Sequence, residues 1–323
     1  MPSHTPSRKW RTLRFLRRPI LVPLTVTAAL AACEPSVPPL TPVPFAAYND
    51  TIARFHAKRL DGIAGPEGWA TLLGLWWLKP GENRIGSDSL LEIVLPANRS
   101  PRRLGSVVVE GDSARFEPSR GVKTFSESQP VSAPLTLHSD VEGKATVLRF
   151  GSLVVSYITR SGKMAVRIKD TLHVVRTTFP GHHYFPTDTA WHLQARFVPR
   201  PKPDSMNIID VLGLETRMWW PGELRFRVNG KRYSLQVIRE PEDHGKRLFV
   251  MFRDSTNGKE TYPAMRYAYV DVPDSLGRTW LDVNQSYSPP CAFTSFATCP
   301  LPPKGNSLPF RVTAGELKPV GHP

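Results

Sequence analysis

Apolar and polar positions recur along this chain with two different periods. Residues 46–61 (AAYNDTIARFHAKRLD) repeat at helical spacing. Tyr48, Ile52, Phe55 and Arg59 share one face, with Ala53 and Leu60 beside it, which predicts a helix. Residues 65–74 (GPEGWATLLG) predict a second short helix. Pro66 suits its first position, Glu67 complements the helix dipole, and Trp69, Leu72 and Leu73 would pack inward. From Leu75 onward the pattern shortens to runs rich in β-branched and aromatic residues, separated by Gly, Pro, Asn and Asp. The runs LWWL (75–78), LEIVL (91–95), SVVVE (106–110), SARFE (113–117), TVLRF (146–150) and SLVVSYI (152–158) predict strands. So do MAVRI (164–168), HVVR (173–176), HLQARFV (192–198), LFVMF (248–252), RYAYVDV (266–272) and TWLDVN (279–284).

One hairpin can be assigned a register. LRFRV (224–228) and KRYSLQV (231–237) flank Asn229-Gly230, the strongest two-residue turn signal. Closing that turn sets Phe226 opposite Tyr233 and Leu224 opposite Leu235, so the apolar faces coincide. Arg225, Arg227 and Arg232 then share the other face, which is either solvated or meets an anion. No internal repeat with a period of 20–50 residues stands out. The expected fold is mostly β: a β-sandwich or barrel-like module with two short N-terminal helices. It forms one continuous unit over 46–323 with two β subregions.

Composition adds location to this picture. The chain has 323 residues, 40% of them hydrophobic, enough to bury a sizeable core. Its 33 prolines favour short elements and turns over long helices. Lys and Arg number 42 against 28 Asp and Glu, a net charge of +14. Six of those charges (Arg8, Lys9, Arg11, Arg14, Arg17 and Arg18) lie in residues 1–18, which contain no acid. The uncharged run PILVPLTVTAALAA (19–32) follows. A basic segment before a short apolar one reads as a secretory signal, and the run is too short to span a bilayer as a helix.

The run ends in Leu30-Ala31-Ala32-Cys33, which resembles the bacterial lipobox. That resemblance implies cleavage between Ala32 and Cys33 and a diacylglycerol, with further acylation such as palmitate, on Cys33. Two or more acyl chains give durable anchoring where one does not. Glu34, rather than Asp, follows the cysteine. In a host with two membranes the resemblance implies the periplasmic face of the outer membrane. The domain plan is then a signal peptide over 1–32, a Pro-rich tether over 33–45 and the β-rich module over 46–323. Without its leader the chain keeps 36 basic against 28 acidic residues, about +8. That balance excludes a nucleic-acid-binding composition. The expected partners are the membrane, through the N-terminal lipid, and an envelope polymer or protein.

Signals for chemistry are few. Cys291 and Cys299, within PPCAFTSFATCPLPP, are an even pair in a chain expected to be exported, which favours a disulfide. Seven intervening residues do not make a Cys-x-x-Cys redox motif, and no second pair or His completes a zinc set. His182-His183 and His192 lack the spacing of a metal site, because neighbours on a strand point to opposite faces. They read as a turn with surface histidines. There is no Gly-x-Ser-x-Gly elbow, no Ser-x-x-Lys, no GxGxxG and no GxxxxGK[ST]. No metal or cofactor is implied.

Two resemblances go further. Residues 80–117, with Gly81, Ile85-Gly86 and the apolar 93–95 run, resemble the opening of forkhead-associated domains, which are phosphopeptide-binding β-sandwiches. Ser87 stands where that family has arginine, and Ser100 is followed by Pro101, Arg102 and Arg103 rather than a Ser-x-x-His motif. The resemblance therefore implies sandwich architecture without phosphopeptide binding. Over roughly 66–317 the chain resembles the domain of unknown function 1684 family. The residues that carry this are Trp69, Leu73-Gly74-Leu75, Trp77-Leu78, Gly81, Asn83, Gly86, Phe252-Arg253-Asp254-Ser255-Thr256, Thr261-Tyr262 and Arg266-Tyr267. They continue through Leu281-Asp282-Val283-Asn284, Tyr287, PPCAF (289–293), ATCPLPP (297–303), Asn306 and Ala314-Gly315-Glu316. That family implies no catalytic residues.

One candidate pocket emerges from strand parity. In TWLDVN, Trp280, Asp282 and Asn284 share one face while Leu281 and Val283 share the other. Arg266 precedes them across a hairpin turned by PDSLGR (273–278), so an Arg266–Asp282 pair is expected, with Tyr262 and Tyr287 near in sequence. These five residues either line a small polar ligand site or form an internal network. The functional expectation is a lipid-anchored envelope protein with a binding or structural role. The alternative is an envelope hydrolase with a site around 254–287.

Overall fold

The computed structural model describes Met1 and residues 38–239 and 246–320. The expected signal peptide, apart from Met1, and Cys33 lie outside the described residues. The first predicted helix forms as α1 (Phe45–Ala64), burying Tyr48, Ile52 and Ile63. The second does not form. Only Trp69–Thr71 makes a 3-10 turn, and Leu72 already enters a strand, β1 (Leu72–Trp77). Backbone pairing of Leu72–Trp77 along a neighbouring strand satisfies a whole ladder, where a one-turn helix would satisfy almost nothing.

The strands from β1 onward are mostly short, and the alternation of apolar residues sets which face each one buries. They are β2 (Gly81–Gly86), β3 (Ile93–Val94), β4 (Gly105–Glu110), β5 (Ser113–Pro118), β6 (Thr124–Ser126), β7 (Gln129–Val131) and β8 (Leu135–Leu137). β9 (Val147–Phe150), β10 (Leu153–Arg160) and β11 (Lys163–Asp170) follow. One sheet has the order β1-β11-β10-β9-β6-β7 and a second the order β3-β2-β4-β5-β8. The two share one apolar core, with Ile85, Val107 and Phe116 from one sheet and Leu148, Val155 and Val166 from the other.

HVVR (173–176) is not a strand. The Asp170 carboxylate accepts the Leu172 N–H at 3.0 Å and the Asp170 carbonyl accepts the His173 N–H at 2.9 Å. That turn ends β11 and leads into a single helical turn, α2 (Val175–Thr178).

The remaining strands make a third sheet: β12 (His192–Ile209), β13 (Glu215–Val228), β14 (Lys231–Arg239), β15 (Arg247–Phe252), β16 (Arg266–Asp271) and β17 (Arg278–Asp282). Its order is β16-β15-β14-β13-β12-β17. The Thr279 hydroxyl of β17 donates to the Asp271 carbonyl of β16 at 3.0 Å, so the sheet curls into a nearly closed barrel. Leu193, Leu224, Leu235, Val250, Ala268 and Leu281 fill its interior. The β13–β14 hairpin has the expected register, Leu224 opposite Leu235 and Phe226 opposite Tyr233. Asn229 (φ 49°) and Gly230 (φ 76°) both take the left-handed conformation that the turn requires. The C-terminal segment covers part of the outer face of the barrel, along β15 and β16, where Met251, Tyr262, Tyr267, Cys291 and Cys299 form a further apolar cluster.

Candidate functional site

The five residues of the expected pocket do not share one site. Along β16, Arg266 has the parity of Ala268 and Val270, which face the barrel interior; along β17, Asp282 has the parity of Trp280, outside it. The two charges therefore sit on opposite sides of one sheet and cannot pair. Arg266 is fully buried and meets Asp254 instead, Nε to Oδ2 at 3.4 Å. It also donates through Nη1 to the carbonyls of Ala314 (2.8 Å) and Val312 (3.3 Å), and its guanidinium lies 4.9 Å from the Phe252 ring centre. Asp254 Oδ1 accepts from the Thr256 N–H (2.8 Å), the Thr256 hydroxyl (2.6 Å) and the Val312 N–H (3.2 Å). Burial pulls the Arg266 guanidinium down to about 10, against the opposing pull of Asp254 and Glu316.

Asp282 and Asn284 meet α1. The Tyr48 hydroxyl donates to Asp282 Oδ1 at 2.8 Å and accepts from Asn284 Nδ2 at 2.7 Å. Asp282 also accepts from the Asn284 N–H (3.1 Å) and Gln285 Nε2 (2.8 Å). Asn284 closes the set on Asp188, donating to its carbonyl at 2.8 Å and accepting its N–H at 3.1 Å. The His192 ring is stacked between Tyr48 (4.8 Å) and Trp280 (4.1 Å). Burial lowers the His192 pKa against the pull of Asp282, and burial together with the Asp282 charge raises that of Tyr48. The odd polar face of TWLDVN is thus the seat of a helix that begins more than two hundred residues earlier.

Tyr262 donates to the Cys291 carbonyl at 3.3 Å, within the apolar cluster outside the barrel. Cys291 and Cys299 stand there as two buried free thiols, with the Cys291 N–H on Cys299 Sγ at 3.1 Å. Burial raises the Cys299 thiol pKa. The expected disulfide bond does not link them in this structure, although the Cys291 N–H already meets Cys299 Sγ.

A cluster that the sequence reading missed surrounds Glu316, which is fully buried. Arg59 of α1 meets its Oε2 at 3.1 Å, His182 Nδ1 its Oε1 at 3.5 Å, and the Ser288 N–H its Oε1 at 3.3 Å. Arg59 also donates to the Ser288 carbonyl at 3.0 Å and lies 4.4 Å from the Tyr287 ring centre. Burial raises the Glu316 carboxyl, but Arg59 and His182 outweigh it and hold it below its ordinary value. His182 is no surface histidine: Phe179 and Phe293 pack edge-on against it at 5.2 and 5.4 Å. Its neighbour His183 is the exposed one. His56 of α1 stacks on Tyr184 at 3.5 Å. The one available signal was Ala314-Gly315-Glu316. Gly315 has φ 79°, and a Cβ there would stand 2.2 Å from Ser286 Oγ, so a glycine delivers the carboxylate that follows it.

His182 Nε2 and the hydroxyls of Tyr184, Ser286 and Ser288 are buried without a hydrogen-bond partner among the described residues. A His–Glu pair beside a serine has the makings of nucleophilic catalysis, but the geometry is not that of a triad. No hydroxyl among the described residues lies within hydrogen-bond reach of His182 Nε2. Nor do three His, Cys, Asp or Glu side chains among them gather as a metal-holding group.

The family model described as "Protein of unknown function (DUF1684)" matches residues 177–317. The match covers the barrel, its C-terminal cover and Glu316 with His182 and Ser288; the two N-terminal sheets and α1, with Arg59, lie outside it. An uncharacterized protein from Haloarcula marismortui, solved in solution by NMR, is 34% identical, with 46% of this chain and 81% of that one covered and a TM-score of 0.39. The FHA domain of FhaA, solved with an intracellular partner domain, is 19% identical, with 28% of this chain and 85% of that one covered and a TM-score of 0.21. No curated protein matches the chain. Through residues 177–317, which hold its barrel and C-terminal segment, the chain matches the family described as protein of unknown function DUF1684.

Proposed function

We propose that this is an exported, lipid-anchored envelope protein whose β-rich module has a binding or structural role. The observation that carries the proposal is the order of features at the N-terminus: six basic residues without an acid, an uncharged run over 19–32, then Leu30-Ala31-Ala32-Cys33. Cys33 is the lipid attachment point and the envelope is the location. In a host with two membranes, Glu34 favours the outer one. In the oxidising envelope, Cys291 and Cys299 close as a disulfide. Partners other than the membrane are an envelope polymer or protein.

The polar residues of 254–287 support a structural or binding role over hydrolysis. Arg266 and Asp254 are sealed from solvent and spend their hydrogen bonds on the 312–314 segment, while Asp282 and Asn284 spend theirs on Tyr48 and Asp188. Such a network fixes elements distant in sequence. Mass spectrometry of the N-terminal peptide from membranes of the expressing cell tests the anchor. A diacylated Cys33 is expected, and Cys33→Ala should release the protein from the membrane fraction. An N-terminus with unmodified Cys33, or retention of the Cys33→Ala chain in salt-washed membranes after removal of its leader, would refute it.

A further inference from the structure

The outer face of the barrel carries an array of arginines that the fold itself does not require. In the antiparallel ladder Arg196 of β12 stands directly opposite Arg225 of β13 on one side and Arg278 of β17 on the other. In the next row Arg227 of β13 stands opposite Arg232 of β14. Arg196, Arg225, Arg227 and Arg232 are exposed, alternating with the buried Ala195, Leu224 and Phe226. Among the described residues, two acids are seen to answer them. Glu223 holds Arg225 at 2.7 Å and Asp274 holds Arg278 at 2.7 Å. Like charges directly opposite one another destabilise a sheet, so five arginines placed this way oppose folding.

The same face holds the end of the tether. Gln194, next to Arg196 on the exposed side of β12, grips the backbone of Leu40. Its Oε1 accepts the Leu40 N–H at 3.1 Å, and its Nε2 donates to the Leu40 carbonyl at 3.4 Å. The chain then runs along this edge to α1, with Val43 and Phe45 exposed. Leu40 follows Cys33 by seven positions along the chain. Seven residue steps, fully extended, reach at most about 25 Å.

We propose that this arginine face docks on the anionic phospholipid headgroups of the membrane that holds the lipid anchor, a proposal that rests on the anchoring argued above. The guanidinium fork matches phosphate, and several basic side chains near an anionic surface act together. The short tether keeps the face at the bilayer, and Val43 and Phe45 supply apolar contact at the headgroup level. A second copy of the chain is a poor occupant, because this face repels itself.

The test uses the lipidated chain carrying Ser234→Cys with a fluorophore on the new thiol. Ser234 is exposed and stands opposite Arg225 in the array, while Cys291 and Cys299 are buried. Reconstituted in vesicles containing a headgroup-quencher lipid, the fluorophore should be quenched when about a third of the lipid is phosphatidylglycerol. It should be released in pure phosphatidylcholine or in 0.5 M salt. Combining Arg196→Gln, Arg225→Gln, Arg227→Gln and Arg232→Gln should abolish quenching while the protein still floats with the vesicles. Each single replacement should weaken it about fivefold. The quadruple variant should also melt no lower than the parent, since it loses like-charge pairs. Flotation reports the anchor and quenching reports the face, so the two readings fail separately. Equal quenching in both lipids, or none in either, overturns the proposal. So does binding of soluble polyphosphate without binding of anionic vesicles, which would assign the face to a free anion.

Discussion

Replacing Asp254 with asparagine removes one charge and almost no volume from the end of the barrel, and the consequence can be worked from the contacts. Asp254 Oδ1 accepts three hydrogen bonds, from Thr256 and Val312, and an asparagine Oδ1 can keep all three. What changes is Oδ2, which faces Arg266 Nε at 3.4 Å. An asparagine NH2 there sets donor against donor. Arg266 would keep only the Val312 and Ala314 carbonyls and the Phe252 ring, in a place that water does not reach. Leaving one partner of a buried ion pair uncompensated costs about 3–5 kcal/mol. Replacing Arg266 by methionine in the same chain removes the uncompensated charge. Asp254→Asn combined with Arg266→Met should therefore recover at least about 2 kcal/mol relative to Asp254→Asn alone. Urea titrations of the parent, both single variants and the double variant close the cycle, with the slope held constant as a check that the unfolded state is unchanged. A loss below about 1 kcal/mol for Asp254→Asn, or no recovery in the double variant, would show that the pair does not hold the barrel end.

Three further outcomes are expected. Glu316 titrates in the folded protein below its ordinary value, so in the window between the two values the unfolded chain binds more protons. Its stabilisation is present above about pH 4.3 and is lost as pH falls through the folded value; Glu316→Gln should flatten that acid limb in denaturation midpoints measured from pH 6 to 3. Gly315→Ala should cost at least about 2 kcal/mol in the same titrations, because φ is 79° and the new methyl would meet Ser286 Oγ at 2.2 Å. A near-neutral result would mean that the 314–316 turn relaxes freely. Tyr48→Phe should cost about 1–3 kcal/mol by leaving Asp282 and Asn284 short of a partner. It should also speed proteolysis within α1 under native conditions; unchanged cleavage would show that the helix is held elsewhere.

Local rules in the sequence determined most of the strands. Alternation placed Leu281 and Val283 inside and Asp282 outside, and Asn229-Gly230 set a hairpin register that the ladder keeps. Both follow from neighbours within a few residues, where strand parity and turn chemistry act. The same parity, applied to RYAYVDV, already put Arg266 on the side of Ala268 and Val270 and so away from Asp282. Adjacent strands bring together only side chains of the same face, so Arg266 pairs with Asp254 and not with Asp282. Residues 65–74 had the composition of a helix, but a ladder to β11 satisfied more backbone groups than one helical turn could.

Tertiary structure alone decided what the polar residues do. Glu316 meets Arg59 across 257 positions and Asp282 meets Tyr48 across 234, and no periodicity spans such distances. His182 looked like half of a surface pair until Phe179 and Phe293 closed over it. The arginines of the hairpin were visible in the sequence as one face. Only the pairing of β12 with both β13 and β17 added Arg196 and Arg278, and the fold set Leu40 beside them on Gln194. Sequence determined which side chains each strand presents, because that depends on chain geometry over two residues. The fold decided which presented groups meet, because burial and charge pairing act between neighbours in space whatever their separation along the chain.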